Sequence, residues 1–207
     1  MSVPTMQLFF SLLALLALAG AAVSVTTRLA GGRIAVLDEF DSLVRPNAVW
    51  LAWVVALVTT LGSLYMSEIA NYKPCRLCWY QRYAMYPLVI ALLLAALGKG
   101  TSWGLWARRY ATVAATVGIA ISTWHYTVEW YPELEPANVC ALDNPCTLIW
   151  FRRMGFVTIP FMAWCGFAAV LGLLFLARSK HALLSDLDDS AELDGPGESP
   201  ADAARLG

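Results

Sequence analysis

The chain has 207 residues, 59% of them hydrophobic and 14% charged, where a soluble domain averages roughly 45–50% apolar and 25% charged. That excess falls in long runs split by short polar stretches, which excludes an ordinary soluble fold and reads as an integral membrane protein. The formal net charge is -1, and basic residues stand singly beside apolar runs, leaving no patch for nucleic acid.

In chain order, five apolar segments are long enough to cross a hydrocarbon core, which needs about 20 helical residues. They cover Met6 to Thr27, Asn47 to Ile69, Trp79 to Gly98, Tyr110 to Val128, and Phe156 to Ala177. Arg45-Pro46 opens the second, Gly98-Lys99-Gly100 closes the third, and Pro132 and Pro136 follow the fourth. Tryptophans and tyrosines gather at the segment ends, as interfacial aromatic belts do. The first segment resembles a signal peptide, but no Lys or Arg precedes it while Arg28 and Arg33 follow it. It is therefore expected to be retained, with its N-terminus outside. Alternation then puts the 28–46 and 99–109 loops and the tail inside, and the 70–78 and 129–155 loops outside. After about Ser185, seven acidic residues accompany Gly195, Pro196, Gly197 and Pro200, which predicts a solvated, disordered cytoplasmic tail.

Four of the five cysteines fall in the two outside loops. Cys165 sits alone in the last segment and reads as a small buried packing residue. Cys75-Arg76-Leu77-Cys78 is a C-x-x-C at the start of a helix, where unpaired N–H groups and the dipole favour a thiolate. Arg82 follows Cys78 by one turn. Cys140 and Cys146 form a second pair around Asn144-Pro145, a turn-favouring dipeptide. Two pairs on one membrane face allow disulfide exchange between them. A structural zinc site is the competing use, against which stand the oxidising side and the wide second spacing. A purely structural, non-enzymatic scaffold is the third.

Making a disulfide from thiols requires an acceptor for two electrons. The sequence has no Rossmann fingerprint, haem motif or P-loop, so a lipid-soluble quinone is the sink within reach of so small a bundle. Arg82 and His125, ionisable groups near the outer ends of apolar segments, are the candidates for binding it.

Over the string Pro74-Cys75-Arg76-Leu77-Cys78-Trp79-Tyr80-Gln81-Arg82-Tyr83-Ala84-Met85-Tyr86-Pro87 the chain resembles the disulfide bond formation protein B family, and most its Gram-positive, BdbC-type branch. The resemblance runs over about residues 47–177. It includes His125-Tyr126-Thr127 before Tyr131-Pro132, the Cys140 and Cys146 pair, and Gly155-Phe156-Val157-Thr158-Ile159-Pro160. It implies a four-helix transmembrane bundle, to which the first apolar segment adds an additional N-terminal transmembrane helix, making an all-α integral membrane protein. The divisions would be the extra helix (1–30), a cytoplasmic loop (31–46), the oxidoreductase core (47–178) and the acidic tail (179–207). It further implies a bacterial plasma-membrane enzyme that reoxidises an extracytoplasmic thioredoxin-like thiol oxidase (DsbA- or BdbD-like) and reduces menaquinone or ubiquinone.

By that resemblance Cys75, Cys78, Cys140 and Cys146 are catalytic. Cys78 joins the quinone with Arg82 beside it, and His125 lies near the ring. Cys75 exchanges with the second pair, Cys140 engages the partner and Cys146 resolves the mixed disulfide. Vitamin K epoxide reductase-like enzymes also combine a loop pair with a C-x-x-C, but there the loop pair comes first in the chain. Thr147–Met154 is expected to form a short interfacial helix. The N-terminal helix lies outside the family's core, with a structural or insertion role expected for it.

Overall fold

The computed structural model describes residues 3–30, 35–135 and 145–178. Cys140 and the acidic tail lie outside them. The described residues form six helices: α1 (Val3–Ala30), α2 (Ala35–Val44), α3 (Ala48–Glu68), α4 (Arg76–Leu97), α5 (Ser102–Trp130) and α6 (Ile159–Ala177). Four stretches among them are long and apolar enough to cross a membrane: Val3–Thr27, Asp41–Glu68, Arg76–Leu97 and Ile159–Ala177. Many apolar side chains on these helices face outward, including Leu16 at 69% exposure, Leu61 at 55% and Ile90 at 64%. Such faces suit lipid and would be costly in water.

Helices α3, α4, α5 and α6 form a ring in which each packs on its neighbours, and α1 is added along α6. The α5 buried positions Ala111, Ala115, Gly118, Ser122, His125 and Glu129 recur every three or four residues, the spacing of one helix face. That face carries Ser122, His125 and Glu129 into the bundle. The same residues, with Arg108 and Arg109, explain why α5 alone of the five long helices falls short on hydropathy while still taking its place in the ring. Inside the ring, Leu88, Leu92, Phe167 and Val170 pack with small residues such as Ala52, Ala56 and Ala115. Small residues let helices approach where lipid offers no hydrophobic drive. A Cβ on Gly118 would run into the Phe167 ring.

Three expected loop or helix assignments are corrected. The 31–46 stretch contains α2, where Val36, Leu37, Phe40, Leu43 and Val44 recur at helical spacing with acidic residues between them. Asp41 and Arg45 add an i,i+4 ion pair at 3.4 Å. The 99–109 loop shrinks to a turn, because Thr101 caps α5 by accepting from the Gly104 amide at 3.3 Å. Finally, Thr147–Met154 is not helical. Arg153 and Val157 exchange backbone hydrogen bonds across a turn with Met154 at φ 52° and Gly155 at φ 82°. Side-chain anchors before that turn hold the segment in place: Trp150 stacks on Tyr72 at 4.9 Å and Arg152 lies 4.3 Å over Trp130.

Phe167 is fully buried, so it has no room to yield to a methyl group. Gly118→Ala is therefore expected to cost about 1–3 kcal/mol through overpacking. Gly20, whose Cβ position is open, should tolerate Ala without loss. Thermal unfolding of the two variants in detergent checks this; equal melting temperatures would refute the close contact.

Candidate active site

Backbone polarity decides where the chemistry sits. The first turn of α4 has N–H groups with no helical partner, and Cys75 takes the capping position with extended backbone angles (φ -71°, ψ 175°). Its sulfur accepts from the Cys78 amide at 3.4 Å and lies 3.1 Å from the Cys78 sulfur. Both are free thiols, whereas Cys146 is engaged in a disulfide. Nε2 of His125 stands 3.6 Å from the Cys75 sulfur. The Cys75 thiol is pushed down to about 4, chiefly because the Cys78 thiol donates to the thiolate, with His125 adding a hydrogen bond. Burial opposes this and is outweighed.

His125 links three groups. Gln81 Nε2 meets its Nδ1 at 3.3 Å, and its Nε2 also lies 3.3 Å from the Cys146 carbonyl. With Gln81 donating, the imidazole proton rests on Nε2, facing Cys75. The ring is 2% exposed. Cys75 and Cys146 share one apolar cluster with Leu77 and Val128, Cys78 at its edge. Glu135 holds the second cysteine loop in place by accepting from the Cys146 amide at 2.6 Å and from the Thr147 hydroxyl at 3.3 Å.

Cys78 faces a different space. It lines a cavity of about 520 Å³ bounded by α1, α3, α4 and α6, together with Gln81, Arg82 and Tyr86. This is within the roughly 300–1,000 Å³ of small-molecule sites. Arg82 is 8% exposed; its Nε donates to the Ser63 hydroxyl at 3.1 Å and its Nη2 to the Ser63 carbonyl at 3.0 Å. The guanidinium also lies 5.2 Å over Trp79. Two donors to one serine hold the group at the cavity wall, with further N–H groups available. The Tyr86 hydroxyl is buried without a partner among the described residues.

The fold thus brings together Cys75, Cys78, Arg82, His125 and Cys146, with Arg82 at the cavity and His125 between the cysteines. Cys165 lies apart, fully buried within α6. Gln81, Ser63, Tyr86 and Glu129 were not singled out from the sequence. Gln81 and Tyr86 carried a signal, being polar residues at positions 3 and 8 after Cys78 on a membrane helix; Ser63 carried none. Glu129 is a buried carboxyl one turn after His125 and lines a small pocket with Cys75, Cys78 and His125.

A depressed thiol is anionic at all pH values above its folded value and is protonated as pH falls through about 4. The ultraviolet absorbance of the reduced protein should therefore show one thiolate persisting to mildly acid pH. His125→Ala should move that midpoint upward. A titration beginning only near the ordinary thiol value, about 8.5, would contradict the capping geometry.

Known proteins similar to this chain point to one family. The family model for disulfide bond formation protein DsbB matches residues 45–144. The chain is 37% identical over 133 residues to disulfide bond formation protein C of Bacillus subtilis, covering 64% of this chain and 94% of that protein. It is 40% identical over 130 residues to a probable disulfide formation protein C of Halalkalibacterium halodurans, covering 62% and 92%. A probable disulfide formation protein of Coxiella burnetii is 37% identical over 142 residues, 68% of this chain and 92% of its own. Among solved structures, none matches the chain significantly. With a reduced dithiol capping a membrane helix beside a second, disulfide-bonded cysteine, and with these relatives, the chain belongs to the DsbB family of membrane disulfide bond formation proteins.

Proposed function

We propose that this oxidoreductase takes electrons from an extracytoplasmic thioredoxin-like thiol oxidase and passes them to a membrane quinone, menaquinone or ubiquinone. The observation that carries the reading is the division between two adjacent sulfurs. Cys78 lines an apolar cavity beside a buried arginine, while Cys75 turns toward His125 and the Cys146 loop. The cavity suits a quinone: it is apolar along its length, and Arg82 and the unpartnered Tyr86 hydroxyl offer donors to an oxygen.

The partner's two thiols exchange with the Cys140 and Cys146 disulfide, Cys140 forming the mixed disulfide and Cys146 resolving it. The reduced second pair then exchanges with a Cys75–Cys78 disulfide, which gives the dithiol described above. A bound quinone supplies a two-electron, two-proton acceptor and leaves as quinol, so dithiol plus quinone yields disulfide plus quinol in balance. Cys75, held as a thiolate by the capping position and His125, bonds to the Cys78 sulfur as that sulfur gives up its electron pair to the acceptor seated beside it, which takes the two electrons and two protons and departs as quinol. Arg82 orients the acceptor's oxygen and stabilises charge gained there. His125 donates from Nε2 toward the Cys75 thiolate, and Gln81, which also lines the cavity, fixes the ring by donating to its Nδ1. This end of the bundle, holding Lys73, Arg76, Arg152 and Arg153, faces outside.

Purified protein given a reduced thioredoxin-like partner and a quinone should form quinol. Cys78→Ser should abolish this. Arg82→Ala should raise the quinone KM about 10–100-fold, the range for losing a charged hydrogen bond of about 1.5–3 kcal/mol. Tyr86→Phe should raise it less. Sγ and Nε2 or Nδ1 atoms of Cys75, Cys78 and His125 lie within 4.8 Å of one another, a set that zinc also accepts. Tightly bound zinc with no quinol formed would overturn the oxidase reading in favour of a metal site.

A further inference from the structure

We infer that α1 is the outer wall of a channel for the prenyl tail of the quinone, and that this helix sets the enzyme's preference for tail length. The inference rests on the quinone reading and extends it to a part of the chain outside the residues matched by the family model.

Helix α1 packs along α6 and meets α3 through side chains such as Phe10, whose ring lies 3.2 Å from a Cβ built on Gly62 and 5.9 Å from the Tyr65 ring. At Ala21 it comes close to α6, the Ala21 Cα lying 3.1 Å from where a Cβ on Gly172 would sit. The 520 Å³ cavity occupies the space that remains. From α1 it is lined between Phe10 and Ser24, a rise of about 21 Å along the helix. Along that wall stand Ala14, Ala17, Gly20 and Ala21, short side chains that keep the space open, and nothing lies within 4 Å of a Cβ built on Gly20.

Polarity runs one way along the channel. Cys78, Gln81 and Arg82 stand at the end near the dithiol, and Lys73 and Tyr72 flank them. Toward the other end, the Thr59 and Ser24 hydroxyls are spent on carbonyls of their own helices. The shape and polarity therefore fit an amphiphile whose oxygen-bearing head meets Cys78 and whose hydrocarbon tail runs down α1. A void this large and apolar, bordered by lipid, is filled by a hydrocarbon chain. Its continuity with the redox sulfur selects the prenyl tail over an acyl chain.

The helix is also tied to the cysteine end. Gln7, 7% exposed, donates to the Tyr72 hydroxyl at 2.6 Å and accepts from Arg153 at 2.9 Å. Arg153 reaches the Pro4 carbonyl too, at 3.2 Å. Tyr72 and Arg153 belong to the segments that lead into Cys75 and follow Cys146. The wall is thereby held in register with the head of the site.

The experiment measures direct binding of a long-tailed and a short-tailed quinone to the full chain in nanodiscs, by quenching of tryptophan fluorescence, with quinone and phospholipid contents taken after extraction. Gly20→Leu and Ala17→Leu each project extra methyl groups into the channel. Each should lower the ratio of long- to short-tailed affinity by at least about tenfold, the factor carried by roughly two buried methylenes. Melting temperatures near that of the unmodified protein establish that both variants fold. An unchanged ratio in folded variants, or equal loss for both quinones, would overturn the assignment of α1. So would loss of bound phospholipid from the variants with quinone affinities intact. Failure of the unmodified protein to bind either quinone would instead sink the quinone reading itself.

Discussion

A thiolate at the edge of a bilayer is an expensive object, and the architecture here is arranged around making one stable. Burial raises a thiol's pKa by disfavouring the anion. Cys75 is 7% exposed, so it holds a charge only because three donors converge on it: the Cys78 amide, the Cys78 thiol and His125 Nε2. The first two come without long-range structure, since a C-x-x-C that caps a helix places them by local geometry. The third requires α5 to lie against α4 with one particular face turned inward. The packing of those two helices is thus part of the sulfur's electrostatics.

Hydrocarbon imposes the rest. Within it every backbone group is satisfied inside a helix, so free N–H groups, tight turns and exchangeable thiols collect where helices end. The start of α1, end of α3, start of α4, end of α5 and start of α6 all meet at the cysteine end, joined by Gln7 to Tyr72, Cys75 to His125 and Tyr126 to the Phe156 carbonyl. The opposite end is closed by different chemistry: Arg45 reaches the Leu176 carbonyl and Lys99 the Pro46 carbonyl. One end of the bundle is occupied by sulfur chemistry, and the other by cations on carbonyls.

The sequence made the membrane helices and the cysteine positions legible because both depend on local signals: apolar runs about as long as a bilayer is thick, and a capping motif at the mouth of one of them. It was less informative where an element's state depends on what it meets. The Thr147–Met154 stretch looked like an amphipathic helix, but Tyr72 and Trp130, distant in sequence, capture its Trp150 and Arg152. Helix α2 carried a helical pattern and was obscured by its place between two membrane segments. The site shows the same division. The C-x-x-C and Arg82 are neighbours in sequence, whereas Ser63 enters only because α3 packs on α4. The cysteine whose thiol is depressed is the cap itself, which depends on the partner across α5 as much as on the dipole.

The position of the cavity follows from the same packing. A ring of four closely approached helices fills its own interior; Leu88, Leu92, Phe167, Val170 and Leu174 leave that centre no room for a large hydrophobic molecule. On the proposed reading, a lipid-soluble electron acceptor meets Cys78 at an outer corner, between α3 and α6, where Arg82 is braced by Ser63. Left to four helices, that corner is a groove whose other boundary is fluid lipid, and a groove admits many hydrocarbon chains with little distinction. A fifth helix lying along α6 gives the groove a second protein wall with fixed side chains. Under the proposed quinone reading, dimensions and discrimination become properties of the sequence of α1, and a segment with no redox chemistry of its own becomes part of the site.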